Sequence, residues 1–536
     1  MSCRHAKINL SSRYAGSDQS VGAVVLTAQD VRLAMGPGRF FSSIRVFDSV
    51  DVLVDDRRAL LSVKPLMAAR LLSRGSCRVI DDEGAQSVRW RDVIGMIGAT
   101  FRDLLSFPRL RRRVDARLAQ LSVARPRPCI GEGPPLYLRA DLWYGVKAGG
   151  SLGHIAGVLK GLRAAGWPAK LATTARIATI PDDTELLLLR PRPRHFTQSE
   201  WQQLTFNLDL VEDLWRQWLH PPPRFIYQRH GLNLFAGIDL ARRWAVPFIL
   251  EFNGPEVWVA EHWGRPLAEP DRARLCEEVS LAGADRIIVV STVLADMLRA
   301  RGIEQEKIRV IPNGVDTQMF TPERDGAGFR ARWNLDGKIV IGFIGTFGPW
   351  HGVENLVAAF VALLQARPDL HVHVRLLLVG DGAHMVAVRD LVAEHSLEPF
   401  VVFTGLLAQA EGPDAIAAFD IAVAPTVDNA DGSSFFGSPT KLFEYLAAGK
   451  ATLCTAVAHV RDIIRDGENG LLVPPGDTQA MTDALERLID DPALRSTLGC
   501  QARDDAVALH DYRIRIRQLV EAVESIRQTQ DMTAER

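Results

Sequence analysis

The chain has 536 residues, 47% of them hydrophobic and 24% charged, with a formal net charge of −1. That length exceeds one ordinary core and implies two or three domains, and the near-neutral balance removes any global reason to expect a nucleic-acid partner. Six cysteines without a Cys-x-x-Cys pair argue against a disulfide framework or zinc centre and fit a reducing cytosol.

No apolar run reaches the roughly 18 residues of a membrane span, and the first residues lack a signal-peptide core. A cytoplasmic protein is therefore expected. Residues 1–130 read as an extension of uncertain fold. Within it, "VRWRDVIGMIGATFRDLLSF" puts Trp90, Val93, Ile94, Ile97, Phe101, Leu104 and Leu105 on one helical stripe. Arginines follow, eight over residues 101–128 against Asp103 and Asp115, and "ARPRPC" (124–129) reads as a linker. The stripe is expected to pack against the rest of the protein, as on any soluble amphipathic helix. The alternative is peripheral contact of residues 88–128 with anionic lipid on the cytoplasmic face of a membrane.

From residue 131 the chain alternates short apolar runs with helical patterns. Strands are expected at 136–141, "ELLLL" (185–189), "FIYQR" (225–229), "PFILEF" (247–252) and "RIIVV" (286–290). After "IPNGVDTQMFTP" the alternation restarts with "IVIGFIG", "RLLLVG", "VVFTG", "IAVAP" and "ATLCTA", read as five buried parallel strands. Val353, Leu356, Val357, Phe360, Val361 and Leu364 recur at helical spacing between the first two. The pattern predicts two doubly wound Rossmann-like α/β domains, 131–325 and 326–505, facing a cleft, and a last helix in 506–536 that returns to the first of them.

Three Gly-rich turns carry the candidate chemistry. In "GVKAGGSLGHIAGVLKGL" (145–162), Gly149 and Gly150 permit a sharp turn, Ser151 is a candidate helix cap, and the helix start favours a diphosphate. A plain strand–helix turn explains the same residues. In "FFGSPTKLFEYLAAGK" (435–450), Ser438 suits an N-cap, Pro439 the first helical position and Gly449 the stop. Lys441 and Glu444 share a face: a lysine can meet phosphate, and a carboxylate can accept from two ribose hydroxyls. On spacing alone an ordinary surface pair is the better reading. In "IGTFGPWHGVENLVAAF", His351 precedes Gly352 at a helix start and is either a donor to phosphate or sugar oxygen or a solvent-facing loop histidine. His371 and His373 would share one face of a strand, without a third metal ligand.

The order of these motifs, together with "VVSTVLADML", "KIRVIPNGVDTQMFTP", "LLLVGDG" and "VRDIIRDGENGLLVPPGD", resembles the family 4 retaining glycosyltransferases, which have the GT-B fold. The resemblance implies α/β GT-B architecture and transfer of a sugar from a UDP- or GDP-sugar, without cofactor or metal, to a glycan or lipid-linked acceptor. It implies cell-envelope or exopolysaccharide synthesis, with the C-terminal domain holding the nucleotide. On it, Glu444 matches the second acid of the E-x7-E motif and grips the donor ribose. Gly149 and Gly150 approach the diphosphate. Thr346, Phe436, Gly437, Ser438, Pro439 and Thr440 fall on the donor side, and Ser151 and His154 on the acceptor side.

This chain departs from the family pattern at four points. Phe436 replaces the first acid, Thr346 and His351 stand where the arginine and lysine of the phosphate clamp are usual, and Asn253 stands where a catalytic-site histidine is common. The expectation is that Lys441 and His351 supply the missing positive charge. A non-catalytic GT-B scaffold and a sugar-nucleotide epimerase are the alternatives.

Overall fold

The computed structural model describes residues 5–10, 23–26, 46–54, 63–81, 84–123, 128–142, 149–177, 179–194, 196, 198 and 200–534. The start of the 145–162 turn and most of the 124–129 linker lie outside the described residues.

The extension builds a sheet of its own. Strands β1 (His5–Asn9), β2 (Ala23–Leu26), β3 (Phe47–Leu53), β4 (Ser73–Asp81) and β5 (Gly84–Ser87) lie in the order β2-β1-β3-β4-β5. The first four are parallel and β5 is antiparallel. Ala6, Ile8, Val50, Val52, Leu66 and Val79 form a separate small core. Arg78 donates two 2.8 Å bonds to the carboxylate of Asp51, which is buried in β3.

One helix, Trp90–Leu121, leaves this unit and reaches the next, with Pro108 inside it. Its second half is fixed: Val114, Leu118 and Leu121 enter the core that holds Trp201 and Phe248. Arg117 bonds Asp239, Arg272 bonds Asp115, and Arg242 donates to the carbonyls of Gln120, Leu121 and Val123. The first half overturns the packing expectation. Of the seven stripe residues only Val93 is buried, while Trp90, Ile94, Ile97, Phe101, Leu104 and Leu105 are exposed. At 3.6 residues per turn the face that carries Val114 and Leu118 lies about a quarter of a turn from that stripe, so docking by the former leaves the latter outward.

The second sheet holds seven parallel strands: β6 (Leu136–Arg139), β7 (Lys170–Thr173), β8 (Leu186–Leu188), β9 (Ile226–Arg229), β10 (Phe248–Phe252), β11 (Arg286–Val289) and β12 (Ile308–Val310). Their order is β12-β11-β10-β9-β6-β7-β8. The third holds six, β13 (Ile339–Ile344), β14 (Val374–Val379), β15 (Val401–Gly405), β16 (Ile421–Ala424), β17 (Ala451–Thr455) and β18 (Leu471–Val473), in the order β15-β14-β13-β16-β17-β18. Both are buried on two faces by helices, which is why their strands read as apolar runs. The short β7, β12 and β18 escaped the sequence reading. His371 ends a 3-10 turn, Pro368–His371, and His373 precedes β14, so the two do not share a strand face.

The chain crosses between the cleft domains twice, side by side. Val315 N–H donates to the His510 carbonyl at 2.9 Å, and Tyr512 N–H to the Val315 carbonyl at 3.0 Å. The last helix, Tyr512–Ala534, then lies along the helix Gly150–Ala164. A Cβ on Gly157 would stand 2.1 Å from the Tyr512 ring, and one on Gly161 2.4 Å from Ile516. Gly157→Ala is expected to cost about 1–3 kcal/mol by overpacking, read as a lower thermal midpoint; an unchanged melt would show that this helix is not held there.

Candidate active site

In each cleft domain the strand order reverses beside the first strand, between β6 and β9 and between β13 and β16. Chain ends diverge there and leave a crevice at the carboxyl ends of the strands. The two crevices face one another and enclose a cavity of about 340 Å³.

Its floor is built from two helix starts. The helix after β6 begins at Gly150 with Gly149 as N-cap, at φ 133°, and has no side-chain cap; the expected Ser151 cap lies inside the helix instead. The helix Thr440–Ala447 has Pro439 as N-cap and again no side-chain cap. The boundary is thus one residue later than expected, because Ser438 is engaged elsewhere. Its Oγ accepts from Asn313 N–H at 3.2 Å and pairs with His459 Nε2 at 3.0 Å, while its carbonyl accepts from Asn313 Nδ2 at 2.6 Å. Ser438 therefore ties the helix start to the domain crossing. The two starts touch: a Cβ on Gly150 would lie 2.3 Å from Thr440 Oγ1, and Gly149 N–H donates to Gln409 Oε1 at 2.7 Å.

Lys441 runs back from its helix under the β13 turn. Its Nζ sits 3.9 Å from the centroid of the Phe343 ring, and a Cβ on Gly345 (φ 153°) would lie 2.6 Å from it. Burial pushes its pKa down to about 7, with Glu444 opposing. Glu444, half-buried on the cavity wall, is pushed up to about 7 by burial, with Lys441 opposing. Two helix dipoles and a lysine thus point positive charge into one cavity, and the lysine is held close to losing its proton.

His351 corrects the charge expectation. It is buried, and burial together with the nearby Lys441 cation holds its pKa well below the ordinary histidine value. Trp350 Nε1–H donates to its Nε2 at 3.0 Å, which leaves Nδ1 as the protonated nitrogen, 3.5 Å from Thr346 Oγ1. His351 is a neutral donor and brings no positive charge; among the described residues lining the cavity the basic side chains are Lys441 and Arg229, and Arg229 is bonded to Glu251.

Phe436 and Gly437 line the cavity beside Ser438, Pro439 and Thr440. Phe436 also crosses the cleft. Its ring stacks on Trp263 at 5.3 Å, meets Trp258 edge-on at 5.4 Å, and Trp263 in turn meets Trp350 at 4.3 Å. Its carbonyl accepts from Ser291 Oγ at 2.6 Å. At the position expected to contact donor, the chain has an apolar bond between domains.

On the opposite wall His154 and Asn253 converge on a residue the sequence reading missed. Glu251, buried in β10, accepts from Asn253 Nδ2 at 2.6 Å, Arg229 Nη1 at 2.5 Å and Tyr137 Oη at 2.8 Å, with His154 Nε2 at 3.1 Å. Burial alone would raise its carboxyl, but His154 and Arg229, with the Asn253 bond, hold it well below the usual carboxylate range. The signal was available: an acid inside "PFILEF", on a strand buried throughout, needs partners. Ser151 and His154 line the same side of the cavity. Among the described residues no group of three or more His, Cys, Asp or Glu is placed to hold a metal.

The class follows from sheets, crossing and cleft: this is the GT-B architecture. Solved structures agree on the fold. HepE of Anabaena, in complex with UDP and glucose, matches with TM-score 0.57 and 19% identity over 74% of this chain and 100% of that one. Sucrose-phosphate synthase from Thermosynechococcus elongatus matches with TM-score 0.58 and 22% identity over 74% and 100%. The two cleft domains also match family models, residues 149–314 as "Glycosyl transferase 4-like domain" and 338–491 as "Glycosyl transferases group 1". Both halves of the cleft are therefore glycosyltransferase-type domains.

Among curated relatives, D-inositol 3-phosphate glycosyltransferase of Acidothermus cellulolyticus is 30% identical, covering 53% of this chain and 63% of that protein. The GDP-mannose-dependent alpha-mannosyltransferase of Mycobacterium tuberculosis is 29% identical over 49% and 65%. The matched stretches thus span less than two thirds of those relatives' own length.

Bound diphosphate would stabilise the Lys441 cation, so binding above pH 7 takes up a proton and affinity should fall as pH rises from about 7 to 9. Titration calorimetry should show Lys441→Met flattening this slope; an unchanged slope would place the proton elsewhere. Glu251→Gln removes the partner of a buried cation and should cost about 3 kcal/mol, with a melt as low as that of Glu251→Ala within about 1 kcal/mol. A melt like the parent's would show that the ion pair is not structural.

Proposed function

We propose that this protein is a retaining, metal-independent glycosyltransferase that moves a sugar from a UDP- or GDP-sugar to a glycan or lipid-linked acceptor, in cell-envelope or exopolysaccharide synthesis. The observation that carries the reading is the pair of uncapped helix starts meeting over Lys441. Such an arrangement suits the diphosphate of a nucleotide sugar, whose charge grows as it leaves. The domain matches support a nucleotide-sugar donor, and among relatives and neighbours both GDP-mannose and UDP are named.

Transfer proceeds on one face of the sugar. The bond from the anomeric carbon to the diphosphate oxygen breaks, the acceptor oxygen bonds to the same face, and the acceptor proton passes to the departing phosphate. Lys441 and the two helix starts stabilise the leaving charge, so they act more strongly in the transition state than in the ground state. The neutral His351 Nδ1–H and Thr346 offer further donors, and Glu444 accepts from the ribose. Glu251 holds His154 and Asn253 on the acceptor side. Against a non-catalytic scaffold stands the buried lysine: with no anion to bind, its desolvation costs stability and returns nothing.

A thermal-shift screen against nucleoside diphosphates and sugar nucleotides should find one base that raises the midpoint. With that donor, diphosphate release should fall at least about a hundredfold in Lys441→Ala and about tenfold in Glu444→Ala, if each remains folded. Near-parent turnover in both would remove the site assignment, and interconversion of the donor without acceptor would favour an epimerase.

A further inference from the structure

The outward stripe of the Trp90–Leu121 helix has no role in the cleft. Ile94 is 64% exposed, Phe101 64% and Leu105 69%, with Trp90, Ile97 and Leu104 each above 40%. Positions 90, 94, 97, 101, 104 and 105 advance by three and four, so they make one continuous ridge of over four turns. Large side chains exposed singly are ordinary, but a ridge of six marks an interaction surface.

Charge selects the partner. Arg91, Arg102 and Arg109 flank the ridge about a third of a turn away, and Arg111, Arg112 and Arg113 extend it, all exposed. Of the helix's three acids, Asp92 accepts from Arg89 N–H at the helix start and lies 3.6 Å from Arg91, Asp115 is bonded by Arg272 and lies 3.9 Å from Arg111, and Asp103 stands more than a third of a turn from the ridge, so Arg102, Arg109, Arg112 and Arg113 keep their charge beside it. An apolar ridge edged by arginines fits a bilayer surface with anionic headgroups, where the ridge enters the acyl boundary and the arginines stay at headgroup level. Among the described residues no helix is long and apolar enough to cross a membrane, so contact of this kind lies in the interface.

We propose that the Trp90–Leu105 ridge seats this protein on an anionic lipid surface. The second half of the same helix is bonded to the β6–β12 domain through Arg117–Asp239 and Asp115–Arg272, so a seated ridge fixes that domain's orientation to the lipid. Resting on the transferase reading, this makes the acceptor a lipid-borne one, presented to the His154–Asn253 wall.

The test is flotation of the full chain, without donor, on vesicles of phosphatidylcholine with about 30% phosphatidylglycerol against phosphatidylcholine alone. Anionic vesicles should carry at least about tenfold more protein, and salt should reduce the difference. Phe101→Ser with Leu105→Ser should lose at least about tenfold of that binding while thermal midpoint and nucleoside-diphosphate shift stay at parent values. Absence of flotation, equal flotation of the double variant, or a lipid-free dimer in sedimentation that the double variant abolishes would each overturn the proposal. Because no turnover is involved, loss of the transferase reading would leave this result standing, and the reverse.

Discussion

Two helices in this protein are forced to meet start to start. Gly150 and Thr440 approach so closely that no Cβ fits on the former, and neither helix spends a side chain on its own first N–H groups. Like ends of two dipoles repel, and a buried lysine beneath them adds to the cost. The surroundings compensate by apolar packing and hydrogen bonds. The Tyr512–Ala534 helix packs on the Gly150 helix, Ser438 is bonded to the domain crossing, and Phe436 is set among tryptophans of the facing domain. Stability made elsewhere thus holds an electrostatic strain at the cleft, and an anion would relieve it.

That view gives the substitutions a common sense. On the resemblance to the family pattern, Phe436 stands in place of an acid and Thr346 and His351 in place of cations, so ionic contacts are missing from the rim of the site. What replaces them is apolar or neutral: stacked rings between domains, and a histidine kept uncharged by Trp350 and burial. Beside the two helix starts the positive charge is that of Lys441, whose proton affinity burial lowers and Glu444 raises.

Much of this was legible in the chain. Apolar runs marked the sheets because both faces of a parallel sheet are covered, and Gly-rich turns marked the strand ends because backbone must pass close to something there. Short strands such as β7 and β18 were not legible, since three or four residues carry little pattern. Ser438 looked like a cap, and only the neighbouring Asn313 and His459 show it bonded elsewhere. Glu251 was passed over because three of its four partners, Tyr137, His154 and Arg229, come from other stretches of sequence.

By itself the sequence determined the longer elements of the two doubly wound domains and the residue types able to meet a diphosphate and a ribose. These depend on local spacing and on side-chain chemistry, which travel with the chain. Tertiary structure decided which of those residues carry charge, which join the domains, and that one face of the Trp90–Leu121 helix stays outward. Protonation and exposure depend on what lies opposite in space, and contacts between distant segments are not written in the spacing of either one.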